Sequence, residues 1–248
     1  MTGIRSKYMS KLKAEKLVKR FSGQLAVNGV SLELSDHSIV GLLGPNGAGK
    51  TTIFYMIAGI IRPDEGKVLL EGEDITNSPM HKRARKGITY LPQEPSVFRK
   101  LSVADNIRLV LETRGFSHQE IESKTLELLD DMGLSVLADQ QAQSLSGGER
   151  RRVEVMRALA TDPSFILLDE PFAGVDPLAV SDLQKIIQDL KARGIGVFIS
   201  DHNVRETLTV CDRAYIVNLG IINEEGTPEH IASSDLARRI YLGENFKL

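Results

Sequence analysis

At 248 residues, 42% of them hydrophobic, the chain is long enough to bury a sizeable core as one large domain, with or without an inserted subdomain. Its net charge of −2 gives no global reason to expect nucleic acid or an anionic membrane surface as a direct ligand. The single cysteine, Cys211, excludes an intramolecular disulfide and suits a reducing compartment, and no apolar run approaches the roughly 18 residues needed to span a bilayer. The amino terminus, Met1 to Arg20, is basic but lacks the apolar stretch of a signal peptide, so the chain is expected in the cytoplasm, with any membrane role coming through a partner.

Between Leu12 and Leu34, apolar positions (Leu17 ahead of Phe21, then Val27, Val30, Leu32 and Leu34) alternate with polar ones. Ser22-Gly23 and Asn28-Gly29 read as turn pairs, and the whole predicts an antiparallel β region. Ile39 to Leu43 is a short apolar run that breaks at Gly44. Gly44, Gly49, Lys50 and Thr51 then satisfy G-x-x-x-x-G-K-[ST], a phosphate-binding loop between a strand and a helix. The chemistry explains the residue types. Gly44, Gly47 and Gly49 let consecutive amides turn toward an anion, Lys50 adds a point charge for the β/γ-phosphates, and Thr51 offers a hydroxyl to Mg²⁺. The helix that follows contributes its positive end. The expected nucleotide-binding set is Gly44, Pro45, Asn46, Gly47, Ala48, Gly49, Lys50, Thr51 and Thr52. Phe21, just ahead of this loop, is either core or a face on which a base stacks.

Arg62-Pro63-Asp64 is expected to stop the loop helix, and Gly66 to Leu70 reads as a short strand closed by Glu71-Gly72. Lys82, Arg83, Arg85 and Lys86 form a basic cluster that predicts a solvated helical face. Ile88 to Leu91 is a further strand, ended by Pro92 and followed by Gln93. From Val103 to Met132 the period becomes helical, with Gly115 and Gly133 as punctuation, which predicts a helical insertion between two β-rich pieces. Ser146-Gly147-Gly148-Glu149 matches the capping box S-x-x-E at the start of a helix from Gly147 to about Ala160. Two glycines at a helix N-terminus also suit an anion, and spacing leaves both readings open.

Phe165 to Leu168 is an apolar run that delivers Asp169 and Glu170 at its end. Adjacent residues on a strand face opposite ways, so one carboxylate is expected at the metal and the other at water. Asp176-Pro177 opens a helix whose apolar face is Leu183, Ile186, Ile187 and Leu190, closed by Gly194. Gly196 to Ile199 is a core strand leading to Ser200-Asp201-His202, where His202 is either structural or at the strand edge that binds ligands in α/β proteins. Arg213 to Asn218 and Ile221 to Glu224 read as a hairpin, and a last helix ends at Gly243, leaving Phe246 and Leu248 in a short tail of the kind that usually frays.

Taken in order, GPNGAGKT, YLPQE, LSGGE, FILLDE, AGVD and DHN resemble the nucleotide-binding subunit of ATP-binding-cassette (ABC) transporters from about Leu12 onward. More narrowly, LPQEPSVFRKLSVADN, SLSGGERRRVEV, SDHNVRETLTVCDRAYIV and YLGENFKL are similar to the ATPase subunits of lipopolysaccharide export systems. The resemblance implies an α/β fold: a RecA-like P-loop NTPase core with an antiparallel β subdomain (about 12–92 and 160–235), an inserted helical subdomain (about 93–159) and a tail (236–248), all within one ABC ATPase domain. It implies ATP and Mg²⁺ as ligands and ATP hydrolysis coupled to transport. Phe21 would stack on adenine, Lys50 would serve the phosphates, and Gln93 would touch Mg²⁺ and the attacking water. Asp169 would support Mg²⁺, Glu170 would be the general base and His202 would hold the γ-phosphate. Ser146, Gly147, Gly148 and Glu149 would contact ATP held by the opposite subunit of a homodimer, with Asp176 communicating across the interface. Phe98 and Arg99 would line the groove for integral membrane permease subunits at the inner face of the inner membrane, with no direct nucleic-acid contact. Two departures are modest: Glu149 stands where Gln is commoner, and AGVD replaces SALD. An importer ATPase, such as one for branched-chain amino acids, and a soluble P-loop switch on nucleic acid or ribosomes share the motifs. The tail's similarity also raises the expectation that Phe246 packs back on the dimer and stabilises it rather than fraying.

Overall fold

The computed structural model describes residues 10–244, 246 and 248, with the backbone alone at 177 and 178; the first nine residues of the basic amino-terminal extension lie outside the described residues. β1 (Lys11–Phe21) and β2 (Gln24–Ser35) form the expected antiparallel hairpin, closed where Phe21 pairs with Gln24. Asn28-Gly29 is not a turn. It lies inside β2, where Gly29 takes φ of 71° and the register against β1 slips. The reason is visible in the burial: Val27 and Val30 both face inward although they are three apart, so one extra residue must reset the two-residue alternation. The bulge frees the Asn28 N–H, which donates to the Gly220 carbonyl at 2.8 Å. β4 (Glu65–Leu70) and the short β5 (Glu73–Asp74) complete a four-stranded antiparallel sheet in the order β2-β1-β4-β5.

The second sheet holds β3 (Ile39–Leu43), β6 (Ile88–Leu91), β7 (Phe165–Asp169), β8 (Gly196–Ser200), β9 (Arg213–Asn218) and β10 (Ile221–Gly226) in the order β10-β9-β3-β8-β7-β6. All neighbours run parallel except the β9-β10 hairpin. Alternation along these strands separates two cores. Val40, Leu42, Phe165, Leu167 and Phe198 face the antiparallel sheet and helix α1 (Lys50–Ala58), whereas Ile39, Leu43, Ile166, Leu168, Val197 and Ile199 face a layer of helices. That layer contains α3 (Val103–Glu112), α4 (His118–Asp131), α5 (Gly147–Leu159), α6 (Pro177–Ala192) and α7 (Val204–Val210). α2 (Met80–Arg85) precedes β6, and α8 (Pro228–Ser233), α9 (Asp235–Ala237) and a π-helical turn, Arg238–Leu242, end the chain. Phe246 is half-buried against the helical-side core, so at that residue the tail packs rather than frays.

Two expectations near α1 are corrected. The helix stops at Gly59, in the left-handed region with φ of 82°, and not at Arg62-Pro63-Asp64. The basic cluster of α2 is not wholly solvated, because Arg83 is 1% exposed. Its guanidinium donates to the carbonyls of Met56 (2.8 Å), Ile57 (2.5 Å), Ser78 (2.9 Å) and Thr76 (3.0 Å). Met56 and Ile57 lie in the last turn of α1, so Arg83 caps the loop helix from outside it, sharing the Met56 carbonyl with the Gly59 N–H at 3.3 Å. Burial lowers its pKa to about 10, which leaves it a cation at neutral pH.

Candidate active site

Three loops meet at the carboxyl edge of the parallel sheet: residues 44–49 after β3, 170–176 after β7 and 201–203 after β8. β3 lies between β8 and β9, so the first loop emerges from the middle of the sheet, where α/β folds open a crevice. The loop's outer glycines answer to the scaffold as well as to a ligand. A Cβ on Gly44 would overlap the Val217 carbonyl oxygen, and one on Gly49 would lie 2.6 Å from the Ala26 carbonyl oxygen. Gly47, at φ of 78°, has open space around it. α1 begins at Lys50 without a side-chain cap and without an acid in its first turn. Its terminal amides and positive dipole end are thus left to the loop.

Lys50 is 6% exposed, and its ammonium donates to the carbonyls of Gly44 (2.6 Å) and Pro45 (3.0 Å). Burial holds its pKa below the usual lysine value, against the pull of Glu170 and Asp201. Ala48 is buried and its carbonyl accepts from Gly220 N–H at 2.9 Å, while Asn46 and Thr51 are exposed and Thr52 is half-buried. Phe21 stands at the tip of the β1–β2 hairpin, 48% exposed, with the Lys19 ammonium 5.7 Å from its ring centroid.

Asp169 ends β7 buried, and the Tyr90 hydroxyl donates to its Oδ2 at 3.1 Å. Desolvation raises its pKa above the usual carboxylate range, opposed by that hydrogen bond. Glu170 leaves the strand with φ of 44°, and its N–H donates to Ser200 O at 2.6 Å. His202 Nδ1 lies 3.3 Å from Glu170 Oε2 and 3.7 Å from Asp201 Oδ1. Asp201, which the sequence reading passed over, is fully buried. Its carboxylate accepts from Phe172 N (2.8 Å), Asn203 N (2.8 Å) and Asn203 Nδ2 (2.9 Å), fastening the loop after Glu170 to the loop that carries His202. An acid beside a strand-end histidine was the available signal; its direction into the protein was not legible.

A cleft of about 280 Å³ gathers a second group, Gln93, Gly147, Gly148, Glu170, Gly174 and Asp176. Glu170 belongs to both groups, whereas Lys50, Thr51, Asp169, His202, Ser146 and Glu149 do not line this cleft. Ser146 and Glu149 form the full capping box of α5: Ser146 N–H and Oγ each lie 2.7 Å from Glu149 Oε2, and Glu149 N–H donates to Ser146 Oγ at 3.3 Å. Asp176 accepts from Ala179 N–H at 3.1 Å, at the start of α6. Phe98 is 44% exposed on a mount made by buried Asn106, whose side chain accepts from Phe98 N–H (2.9 Å) and donates to Phe98 O (3.1 Å). The Arg157 guanidinium lies 4.5 Å over the Phe98 ring, and Arg99, exposed, accepts from Gln143 N–H at 3.0 Å.

Among the described residues no group of three His, Cys, Asp or Glu side chains could hold a metal unaided. The Thr51 hydroxyl, Asp169 carboxylate and Gln93 amide oxygen are a sparse set of hard oxygen donors, which fits Mg²⁺ carried in by a polyphosphate and still holding water. Among the described residues no helix is long and apolar enough to cross a membrane.

The profile of the ABC transporter family matches residues 27–173. The chain is 56% identical to the lipopolysaccharide export system ATP-binding protein LptB of Haemophilus influenzae, over 97% of this chain and 100% of that protein. It is 53% identical to the protein of the same name from Escherichia coli K12, with the same coverage. Among solved structures it is similar to the ADP conformation of MJ1267, an ATP-binding cassette of an ABC transporter (TM-score 0.86, 31% identity, 96% of this chain and 100% of that one). A nucleotide-free cassette from an ABC transporter is comparable (TM-score 0.83, 32% identity, 95% of this chain and 100% of that one).

Proposed function

This chain belongs to the ABC transporter family, as an ATP-binding ATPase subunit, and from that premise we propose that it powers lipopolysaccharide export from the inner face of the inner membrane, as a homodimer docked under integral membrane permeases. The observation that carries the cargo is the 56% identity to an export ATPase along the whole of that relative and 97% of this chain. It supports export over the importer and soluble-switch alternatives. No direct nucleic-acid contact enters this reading.

The site's geometry supports a division of labour. The amides of the 44–49 loop and the first turn of α1 hold the ATP phosphates, with Lys50 already seated within the loop on the Gly44 and Pro45 carbonyls. Phe21 offers its exposed ring to the adenine. Glu170 is the general base: its backbone is pinned to Ser200, and its carboxylate faces both His202 and the cleft of Gln93. Thr51, Asp169 and Gln93 would hold Mg²⁺, which when bound neutralises charge on the β- and γ-phosphate oxygens. His202 serves the γ-phosphate, and Asp201 keeps its loop in register with that of Glu170. Gly147 and Gly148 of one subunit reach the nucleotide of the other, so ATP closes the dimer and hydrolysis reopens it. Asp176, in the same cleft, carries that signal across the interface, and the Phe98–Arg99 platform takes the membrane subunit.

Glu170→Gln tests this. Turnover is expected to fall by about 10²–10⁴, about 3–5 kcal/mol in the barrier, with ATP binding retained. Purified from its native membranes with ATP, that variant is expected to bring two integral export subunits and lipopolysaccharide. Recovery of importer permeases would overturn the cargo and leave the ATPase intact; near-normal turnover would remove Glu170 from its role.

A further inference from the structure

The carboxyl-terminal turn reaches the site through one side chain to which the sequence reading gave no role, Tyr241 at the head of YLGENFKL. The Tyr241 hydroxyl donates to the carbonyl of His202 at 3.1 Å. Burial, with smaller help from the charges of Asp201 and Glu170, pushes the phenol up to about 12, so it stays protonated and able to donate. The turn itself is firmly mounted. Arg238 Nε donates to Ala232 O at 3.0 Å, and Gly243 N–H to Arg238 O at 2.9 Å. Ser234 Oγ donates to Glu224 Oε2 of β10 at 2.6 Å, and Ile240, Leu242 and Phe246 pack on the helical-side core.

We propose that Tyr241 is a positioning residue for ATP hydrolysis: its hydroxyl ties the His202 loop to the C-terminal turn, so that the seating of that turn sets the rate of turnover. The argument is geometric. The His202 side chain is 47% exposed, and its backbone carbonyl accepts from Tyr241, so the turn and the loop are joined directly. A neutral hydroxyl on a firmly mounted turn holds the His202 backbone in place without adding charge near the phosphates. The inference deepens the proposed function and rests on the reading of His202 as the γ-phosphate residue.

Tyr241→Phe removes the hydroxyl and keeps the ring in the core. In the full chain, kcat is expected to fall about three- to tenfold, the size of one neutral hydrogen bond expressed in a rate. ATP affinity and melting temperature are expected to stay as in the wild type, which separates positioning from a loss of packing. Because the effect runs through His202, Tyr241→Phe should cost nothing further in a His202→Ala background. Unchanged kcat in Tyr241→Phe, a melting temperature that falls with kcat, or losses that add in the double variant would each overturn the proposal while leaving His202 in place. Wild-type turnover in His202→Ala alone would overturn the role of His202 and this proposal with it.

Discussion

Two helices in this protein, α1 and α5, start next to glycines, and their first turns are built in opposite ways. α1 follows Gly49 with no side-chain cap, no acid in its first turn and a lysine as its first residue. α5 follows Ser146 with a complete capping box, which places the Glu149 carboxylate on the Ser146 N–H and hydroxyl at its own start. The helix dipole is the same in both; what differs is whether the chain has already supplied the anion. α1 keeps its positive end for a ligand, whereas α5 offsets much of its own. In α5 the Ser146 hydroxyl hydrogen is directed at Glu149, so the amides of Gly147 and Gly148, which line the cleft beside Glu170, are the donors it can offer outward. A glycine-flanked helix start is therefore not by itself an anion site.

The sharpest way to break the contrast is at the backbone of the first loop. Gly44→Ala drives a methyl into the Val217 carbonyl oxygen, and a loss of about 4 kcal/mol or more is expected, read as a collapse of the thermal unfolding transition. A wild-type melting temperature would show that β3 and β9 can part at no cost. Next is the charge. Lys50→Met should weaken ATP binding by about 10²-fold, about 3 kcal/mol, with no loss of folding, because a buried ammonium is removed together with its desolvation cost. Titration with ATP and a melting curve on one preparation separate the two effects.

The smallest effect sharpens the comparison from the α5 side. Glu149→Ala should cost about 1 kcal/mol of stability, and Glu149→Gln much less, since a glutamine amide oxygen still closes the box. The pH dependence follows from the same bonds. Ser146 holds the Glu149 carboxyl below its usual value, so the charge-dependent part of the cap is present above the unfolded glutamate value, about 4.3. It is lost as pH falls through the depressed folded value. Melting temperatures below about pH 4.3 should therefore drop more steeply in the wild type than in Glu149→Gln, and parallel curves would place the stabilisation elsewhere.

Arg83 and Asp201 show where reading residues in order stops. In the sequence Arg83 is one of four cations in five positions, Lys82 to Lys86, and charge runs normally face water. Only the arrival of Met56, Ile57, Thr76 and Ser78 carbonyls at one point turns it into an internal cap for α1. Asp201 is likewise an ordinary acid beside a histidine until the Phe172 amide approaches from another strand's loop. Asn28-Gly29 looked like a turn because its composition is that of one; the burial of Val27 and Val30 on either side made it a bulge. Each miss concerns a group whose partner is distant in the chain.

The phosphate loop, the capping box of α5, the carboxylates at the end of β7 and the β9–β10 hairpin were legible in the sequence itself. Each is a local device in which residue type and spacing within a few positions dictate backbone conformation and chemistry. Tertiary structure alone decided that Gly44 and Gly49 are held by neighbouring strands, that Glu170 is shared between His202 and the Gln93 cleft, and that Tyr241 bonds the His202 carbonyl. Those outcomes depend on how a parallel sheet brings strand ends together at one edge, and contacts set there, such as the 3.1 Å between Tyr241 Oη and the His202 carbonyl 39 positions away, leave no periodicity for a sequence to display.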